Sequence, residues 1–420
     1  MRTLLNLIAL FVAMNAAGQT MVVRAARLFD GTSEALRANA VVVIDAGKII
    51  RIDDVAPPNA TVIDLGDVTL MPGLIDAHTH IALHPGDAEQ QNLRETPELR
   101  AIWATVSALK TVQAGITTIR DLGNEGAGFA DIALRDAVAR GLVAGPRVIA
   151  AIRPVTSTGA YRLTGYSPYN LMPPQAAEAD GVGEVRKQVR TLLAQGADVI
   201  KTYLETYEKR GTRKDILTGT MNWSQEELNA LVEEAHRGGV KVAAHTYSDE
   251  AAQMAIAAGV DSIEHGLYLK EETFRAMAQK GIYYVPTLLV YEYWRDGKIF
   301  GTPSAETKAR LTKTVEEHTA TFRRALRTPV KIVFGSDTFE LPGTNALELE
   351  RMIAYGMKPV DALRAATSLA ASLLGMTEIG SVKAGHAADL IAVAGDPLSD
   401  IQAMTRVVWV MRDGMVIPVK

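Results

Sequence analysis

Six residues hold most of the chemistry that this sequence offers. His78 and His80, separated by Thr79, close an apolar run that begins at Gly73. Lys201 follows Asp198-Val199-Ile200, His245 follows Val240 to Ala244, and His265 follows Ser262-Ile263-Glu264. Asp337 follows Lys331 to Phe334 through Gly335 and Ser336. Side chains alternate across a strand, so His78 and His80 point the same way, and two imidazoles at that spacing can chelate one metal ion. Taken singly, each residue has a plainer reading. A lone His at a strand end is more often a hydrogen-bonded polar group than a ligand. Lys201 can snorkel to water, and Asp337 can cap a helix. It is their joint placement at the ends of successive apolar runs that points to one site.

Lys201 needs a physical reason to join a metal centre, because a protonated ammonium repels divalent cations at close range. A neutral lysine can react with CO2 to form a carbamate, an anion whose two oxygens can bridge two metals about 3.5–4 Å apart. Such a pair would hold a bridging hydroxide of lowered pKa. Asp337 would then act both as a ligand and as the catalytic group that carries a proton to the leaving atom. The chain has eight histidines and no cysteine, which excludes thiolate ligands, disulfides and a cysteine nucleophile.

The elements that must position these residues follow from the pattern between them. Eight strand-like runs start at Gly73, Ile116, Arg147, Asp198, Val240, Ser262, Tyr283 and Lys331. Helical periodicity separates most of them, as at Glu184 to Ala194, Glu226 to Arg237 and Leu347 to Tyr355. Alternating strand and helix in this number predicts an α/β fold, a (β/α)8 TIM barrel, whose catalytic residues lie at the C-terminal ends of the strands. The alternative is an open doubly wound sheet, but no glycine-rich phosphate loop follows the first strand. Both chain ends instead show short β runs with turns such as Asp413-Gly414. They predict a small β-sandwich assembled from residues 19–70 and 375–420 around a barrel of residues 71–374.

Arg2, the apolar run Leu4 to Ala13 and the small residues Ala16-Ala17-Gly18 fit a signal peptide over residues 1–18, hence a secreted or periplasmic protein. That run is too short for a membrane span, and a lipoprotein anchor would need a cysteine, so no membrane anchor is expected after cleavage. Of 420 residues, 44 are Lys or Arg and 48 are Asp or Glu, a balance that does not suit a nucleic-acid partner.

These residues together resemble the amidohydrolase superfamily. The resemblance rests on Met71 to His80, Ala197 to Lys201, Ala243-Ala244-His245, Ile263-Glu264-His265-Gly266 and Gly335-Ser336-Asp337-Thr338. It continues in Gly380 to Gly385 with Ala388-Asp389-Leu390. The resemblance implies that His78, His80 and Asp337 hold the more buried of two divalent metals, usually zinc. It implies that His245 and His265 hold the second, with carboxylated Lys201 between them. Within the superfamily the chain is similar to prolidase-like dipeptidases, imidazolonepropionase-like proteins and ochratoxin-hydrolysing amidases, and Lys201 sets it apart from the mononuclear subtypes. The implied reaction is hydrolysis of an amide in an N-acyl amino acid or dipeptide, including ochratoxin-like molecules carrying phenylalanine. A cyclic amide, lactone or phosphotriester is the alternative. Self-association as a homo-oligomer is expected by analogy.

One departure stands out. Relatives often carry Gly-Gly-His after the third strand, where this chain reads Thr156-Ser157-Thr158-Gly159-Ala160-Tyr161-Arg162. Tyr161 takes the His position and can donate to an oxyanion, while Arg162 suits a substrate carboxylate; a plain surface loop is the competing reading. Tyr203 and Tyr247 are further candidates for substrate contact. His84 reads as a loop residue, His236 as a helix C-terminal cation, His318 as solvent-facing and His386 as part of the sandwich return. The aromatic segment Tyr291 to Phe300 reads as a lid or pocket wall, or as core or a subunit contact.

Overall fold

The computed structural model describes residues 20–53, 55–58, 60–161, 163, 166–167, 169–170, 172–207, 215–337 and 341–419. The expected leader, residues 1–18, lies outside them.

The N-terminal strands are β1 (Met21–Leu28), β2 (Arg37–Asp45), β3 (Lys48–Asp53), β4 (Thr61–Asp64) and β5 (Val68–Pro72). The repeating part holds β6 (Leu74–Thr79), β7 (Ile116–Asp121), β8 (Arg147–Ala150), β9 (Val155–Thr156), β10 (Ala177–Glu178) and β11 (Val199–Tyr203). It continues with β12 (Glu205–Tyr207), β13 (Gly219–Met221), β14 (Lys241–Thr246), β15 (Ser262–His265) and β16 (Tyr283–Val285). β17 (Leu390–Ala394), β18 (Val407–Arg412) and β19 (Met415–Ile417) close the chain.

In the repeating part β6, β7 and β8 form one parallel sheet, and β10, β9, β11, β14, β15 and β16 form another. The first sheet meets the second where Asp198 N donates to the Ala150 carbonyl at 2.8 Å. β6, β7, β11 and β15 are buried along their whole length, which is why they read as unbroken apolar runs rather than alternating ones.

The eighth run, expected as a strand, is only an extended segment with one bridge from Ile332 to Tyr284. Its backbone donors are diverted: Phe334 N goes to the Ala365 carbonyl and Ser336 N to Asp76 Oδ1. The segment nevertheless lies between β16 and β6, since Val333 N donates to the Tyr284 carbonyl and Ala77 N to the Phe334 carbonyl. Gly335 permits this approach. A Cβ there would stand 2.4 Å from Val285 Cγ1 and 2.9 Å from His78 Cβ.

Helices α1 (Ala88–Arg94), α2 (Pro97–Gln113), α3 (Ala130–Ala139), α4 (Gly181–Ala194), α5 (Gln225–Arg237) and α6 (Asp249–Ala258) alternate with these strands. α7 (Glu271–Lys280) falls between β15 and β16, whereas α8 (Leu288–Arg295), α9 (Ala305–Ala325), α10 (Leu347–Ala354), α11 (Pro359–Ala365) and α12 (Ser368–Leu374) follow β16 in succession, with the eighth segment between α9 and α10. Their limits have local causes. Ser224 and Glu227 form a capping box that starts α5, and Gly259 and Gly281 end α6 and α7 in the left-handed conformation. Among the described residues, no helix is long and apolar enough to cross a membrane.

The two chain ends meet in one eight-stranded sheet, with β5 and β17 pairing antiparallel at its centre. The Asp413-Gly414 turn between β18 and β19 has φ of 48° and 75°, as a type I′ hairpin requires. This sheet has its own apolar cluster, including Val23, Val42, Leu70, Leu390 and Met411. Arg147 at the start of β8 ties the two parts together through the buried Asp389, at 2.7 Å, and Asp413. Arg147→Ala would strand the Asp389 carboxylate. It is expected to lower the unfolding free energy by about 2–3 kcal/mol, read from urea denaturation; an unchanged midpoint would show that the tie carries no stability.

Candidate metal centre

The strand ends open into a cavity of about 450 Å³ whose lining includes His78, His80, His245, His265 and Asp337, with Tyr161, Tyr203 and Tyr247. His78 Nδ1 donates to Glu264 Oε2 at 2.8 Å, and its Nε2 lies 3.7 Å from Asp337 Oδ1. His80 Nδ1 donates to the Gly123 carbonyl at 2.8 Å, and its Nε2 lies 3.4 Å from the same Asp337 oxygen. Both imidazoles are thus held at one nitrogen, with the other turned toward Asp337.

Glu264 and His265 are consecutive yet both face His78, which a regular strand forbids. His265 resolves this with a left-handed φ of 67°, which places its ring 5.0 Å from that of His78. Asp337 is likewise left-handed at 50°, its N–H donating to the His78 carbonyl. One donor atom from each of His78, His265 and Asp337 lies within 4.8 Å of the others, a spacing fit for one cation.

The second group comes from β11 and β14. Parallel register sets Lys201 beside Ala243 and Tyr203 beside His245, so Lys201, Tyr203 and His245 share a face. The His245 ring lies 4.4 Å from that of His265 and 4.3 Å from that of Tyr203. Lys201 Nζ, His245 Nδ1 and Asp337 Oδ1 are buried without hydrogen-bond partners among the described residues. Three such orphans in one fold are costly. Together with His78, His80 and His265 they make an imidazole, carboxylate and amine set that divalent ions would satisfy once the amine is carboxylated.

Protonation follows from burial. Desolvation lowers the Lys201 pKa to about 8 against the pull of Glu264 and Asp337, which brings the neutral amine needed for carbamate formation within reach. Desolvation raises Asp337 to about 7 although His80 and Lys201 oppose it. His78, His245 and His265 are held well below the usual imidazole range, first by burial and then by neighbouring cations. Neutral imidazole is the form that ligates. His80 differs: burial pulls it down, but the hydrogen bond and charge of Glu125 lift it to about 9.

Several of these supports were not legible in the sequence. Glu264 also accepts from Arg120 Nη2 at 2.9 Å and from Ser262, so it fixes the His78 ring while being fixed itself. Glu125 lies 3.2 Å from His80 Nδ1 and accepts from the Tyr161 hydroxyl at 2.8 Å. The single Tyr161 proton is therefore committed to Glu125, and its ring stacks on Tyr203 at 4.5 Å. Arg162 lies outside the described residues. The Tyr247 ring is 4.6 Å from His245. Val290, Tyr291, Trp294 and Phe300 line the cavity, so the aromatic segment is at least in part a pocket wall.

His84 stays apart from the ligands, paired with Glu95 and stacked on Trp103. His236 pairs with Asp261 at the end of α5, and His386 lies beside Ser381. The solvent-facing reading of His318 is corrected: it is buried in α9, and its Nε2 donates to the His265 carbonyl at 3.1 Å. The charged residues around it misled, although Leu311, Val315, Phe322 and Ala325 share its inward face.

A cavity at the strand ends, lined by paired histidines and an aspartate over a buried lysine, has the donor set for divalent metal. The chain belongs to the Amidohydrolase family, whose profile matches residues 69–417, and it is a hydrolase. Among its relatives, the ochratoxinase of Aspergillus niger is 30% identical over 94% of this chain and 85% of its own length. A solved Xaa-Pro dipeptidase with methionine bound in the active site superposes with a TM-score of 0.87 at 33% identity, covering 95% of this chain and 99% of its own. A prolidase complexed with N-methylphosphonate-L-proline does so at 0.85 and 29%, covering 96% and 100%. These relatives bear out the prolidase-like and ochratoxin-hydrolysing resemblance, and with it amide-bond hydrolysis.

His318 gives a pH test of the support beneath His265. Burial depresses its pKa from 6.5 to about 3. The unfolded chain therefore binds the extra proton first, and the stability tied to His318 is full above its unfolded pKa and fades as pH falls toward the folded one. By pH ~5 the loss is about 2 kcal/mol. His318→Gln keeps a donor for the His265 carbonyl and is expected to flatten the acid decline of urea stability by about that amount. Parallel pH curves for the two proteins would show that His318 ionises freely.

Proposed function

We propose that this chain hydrolyses the amide bond of an N-acyl amino acid or dipeptide-like small molecule, ochratoxin-like substrates included, and releases the C-terminal amino acid. The observation that carries the reading is the set of buried atoms without a hydrogen-bond partner among the described residues, Lys201 Nζ, His245 Nδ1 and Asp337 Oδ1, at the strand ends around one cavity. Two divalent ions, zinc in our reading, held by His78, His80, His245, His265, Asp337 and carboxylated Lys201 would supply an activated water and polarise the amide carbonyl.

The residues of the chain divide the remaining work. Asp337, within 3.4–3.7 Å of both His80 and His78 Nε2, is placed to take a proton and return it to the leaving nitrogen. Tyr161 and Glu125 hold His80 from behind, and Tyr203 and Tyr247 flank His245 where the substrate enters. Leu83, Leu163, Val290, Trp294 and Phe300 add apolar and aromatic surface to the cavity lining, which suits an amino acid with a large apolar side chain. The names of the relatives, a dipeptidase crystallised with methionine and an ochratoxinase, agree with that choice.

In this reading residues 71–374 form a (β/α)8 barrel closed by the eighth segment, and the sheet of both chain ends folds over as a two-layer sandwich. Removal of residues 1–18 would deliver the enzyme outside the cytoplasm.

Chelation is expected to abolish turnover together with two bound ions per chain. Asp337→Asn and Lys201→Ala are expected to lower kcat/KM by about 10³-fold or more. Across a panel of N-acyl amino acids, Xaa-Pro dipeptides, lactones and phosphotriesters, N-acyl-phenylalanine should be cleaved best. Turnover that survives metal removal, or that is confined to lactones or phosphotriesters, would overturn the reading.

A further inference from the structure

Thr287 stands at the start of α8, where a threonine ordinarily accepts a backbone N–H from the first turn. It makes no such bond. Its φ of 49° and ψ of 55° are left-handed, a conformation rare for a β-branched residue. The fully buried hydroxyl lies instead 2.6 Å from His265 Nδ1. The helix is capped from elsewhere. Glu348, fully buried on α10, accepts from Leu288 N at 2.7 Å and from Leu289 N at 2.8 Å, one oxygen to each.

We propose that Glu348 is a positioning residue for His265: by capping α8 from another helix, it leaves the Thr287 hydroxyl free to hold the imidazole. It does so on the reading above, in which His265 holds a metal ion. An imidazole that ligates through one nitrogen needs an acceptor for the proton on the other. For His265 Nδ1 that acceptor is Thr287 Oγ1, since Asp337 Oδ2 at 3.9 Å is beyond hydrogen-bond reach. A threonine that caps a helix takes extended backbone. The left-handed turn that brings this hydroxyl to His265 therefore excludes ordinary capping.

Glu348 removes that conflict. Its carboxylate also lies at the positive end of the α8 dipole. Without it, two buried N–H groups lose their acceptor, and Thr287, already at the cap position, is the side chain that would turn to take one of them. Arg351 of α10, at 2.8 Å, and Tyr355 at its end hold Glu292 of α8. The two helices are thus pinned at a second point, and the loss of Glu348 falls on the first turn of α8. The same helix carries Tyr291, whose ring stands 5.9 Å from that of His265 and nearly perpendicular to it.

The test is titration of the full, metal-stripped chain with cobalt(II), read as ions bound per chain and as the visible absorption of the bound ion. The parent is expected to bind two ions. Thr287→Val is expected to weaken one of them about 10–100-fold and to shift its spectrum, as loss of the partner of a ligating histidine does. Thr287→Ser should restore both. Glu348→Gln keeps the side-chain volume but turns an amide donor toward an N–H, and it should weaken the same ion about tenfold. Glu348→Asp, a milder change, should show the same loss in smaller measure. The double variant Glu348→Gln, Thr287→Val should bind no more weakly than Thr287→Val alone, because one residue acts through the other. Glu348 variants that lose urea stability yet bind cobalt as the parent does would overturn the proposal and leave the metal centre standing. So would losses that multiply in the double variant. A parent that binds no ion would overturn the metal centre itself, and this proposal with it.

Discussion

The Glu264 carboxylate is the tie on which the site depends. It is fully buried, accepts from Arg120 on β7 and Ser262 on its own strand, and receives His78 Nδ1–H from β6. A carboxylate out of water is tolerated only when its oxygens are filled, so the geometry of three strands is set together. Arg120 extends the tie by donating to the Ala77 carbonyl at 2.6 Å, one residue before His78. Asp76 does similar work on the other side of His78, accepting from Ser336 and Asn345 and so binding the eighth segment to β6. His78 and Asp337 are therefore positioned by buried polar groups rather than by regular strand pairing.

That arrangement explains where the backbone is unusual. His265, Asp337, Glu125 and Thr287 all adopt positive φ, a conformation that disfavours side chains with a Cβ. All four stand around the site: Glu125 meets His80, Thr287 Oγ1 meets His265 Nδ1 at 2.6 Å, and Asp337 Oδ2 stands 3.9 Å from that nitrogen. Regular strands would send half of these side chains outward. The left-handed residues turn them inward, and the surrounding hydrogen bonds hold them there. His318 and Tyr284 belong to that support, since both donate to the His265 carbonyl.

The ligand-type residues were legible because several of them together end successive apolar runs, where each alone had a plainer reading. The alternating elements and the meeting of the two chain ends were legible for the same reason: both are written in hydrophobic period and turn residues. Glu264 stood in view beside His265, but strand alternation assigns neighbours to opposite faces, and only the φ of His265 reveals that both point inward. Glu125 lies in the loop Asn124-Glu125-Gly126, where no periodicity exists to read. His318 was misread because the charges of α9 drew the reading away from an inward stripe of Leu311, Val315, Phe322 and Ala325 that includes it. The eighth segment lacked strand pairing because Asp76 and Ala365 took its donors, an exchange between residues far apart in sequence.

The same division separates chemistry from specificity. The reacting side of the cavity is made of strand ends whose positions are over-determined by Glu264, Asp76 and Glu125. Another part of the lining is carried by α8, whose Tyr291 and Trp294 reach the cavity, the Tyr291 ring lying 5.9 Å from that of His265. That helix has no side-chain cap of its own. Its first N–H groups, from Leu288 and Leu289, donate instead to the buried Glu348 of α10 at 2.7 and 2.8 Å. Glu292 of the same helix is tied in turn to Arg351 and Tyr355, so the aromatic wall is anchored on α10. The strand ends are tied differently, through Glu264, Asp76 and Glu125, and leave Lys201 Nζ, His245 Nδ1 and Asp337 Oδ1 without a hydrogen-bond partner among the described residues. A chain built like this declares its class in the residues of its strand ends. Its substrate preference resides in packing between helices that no short motif records.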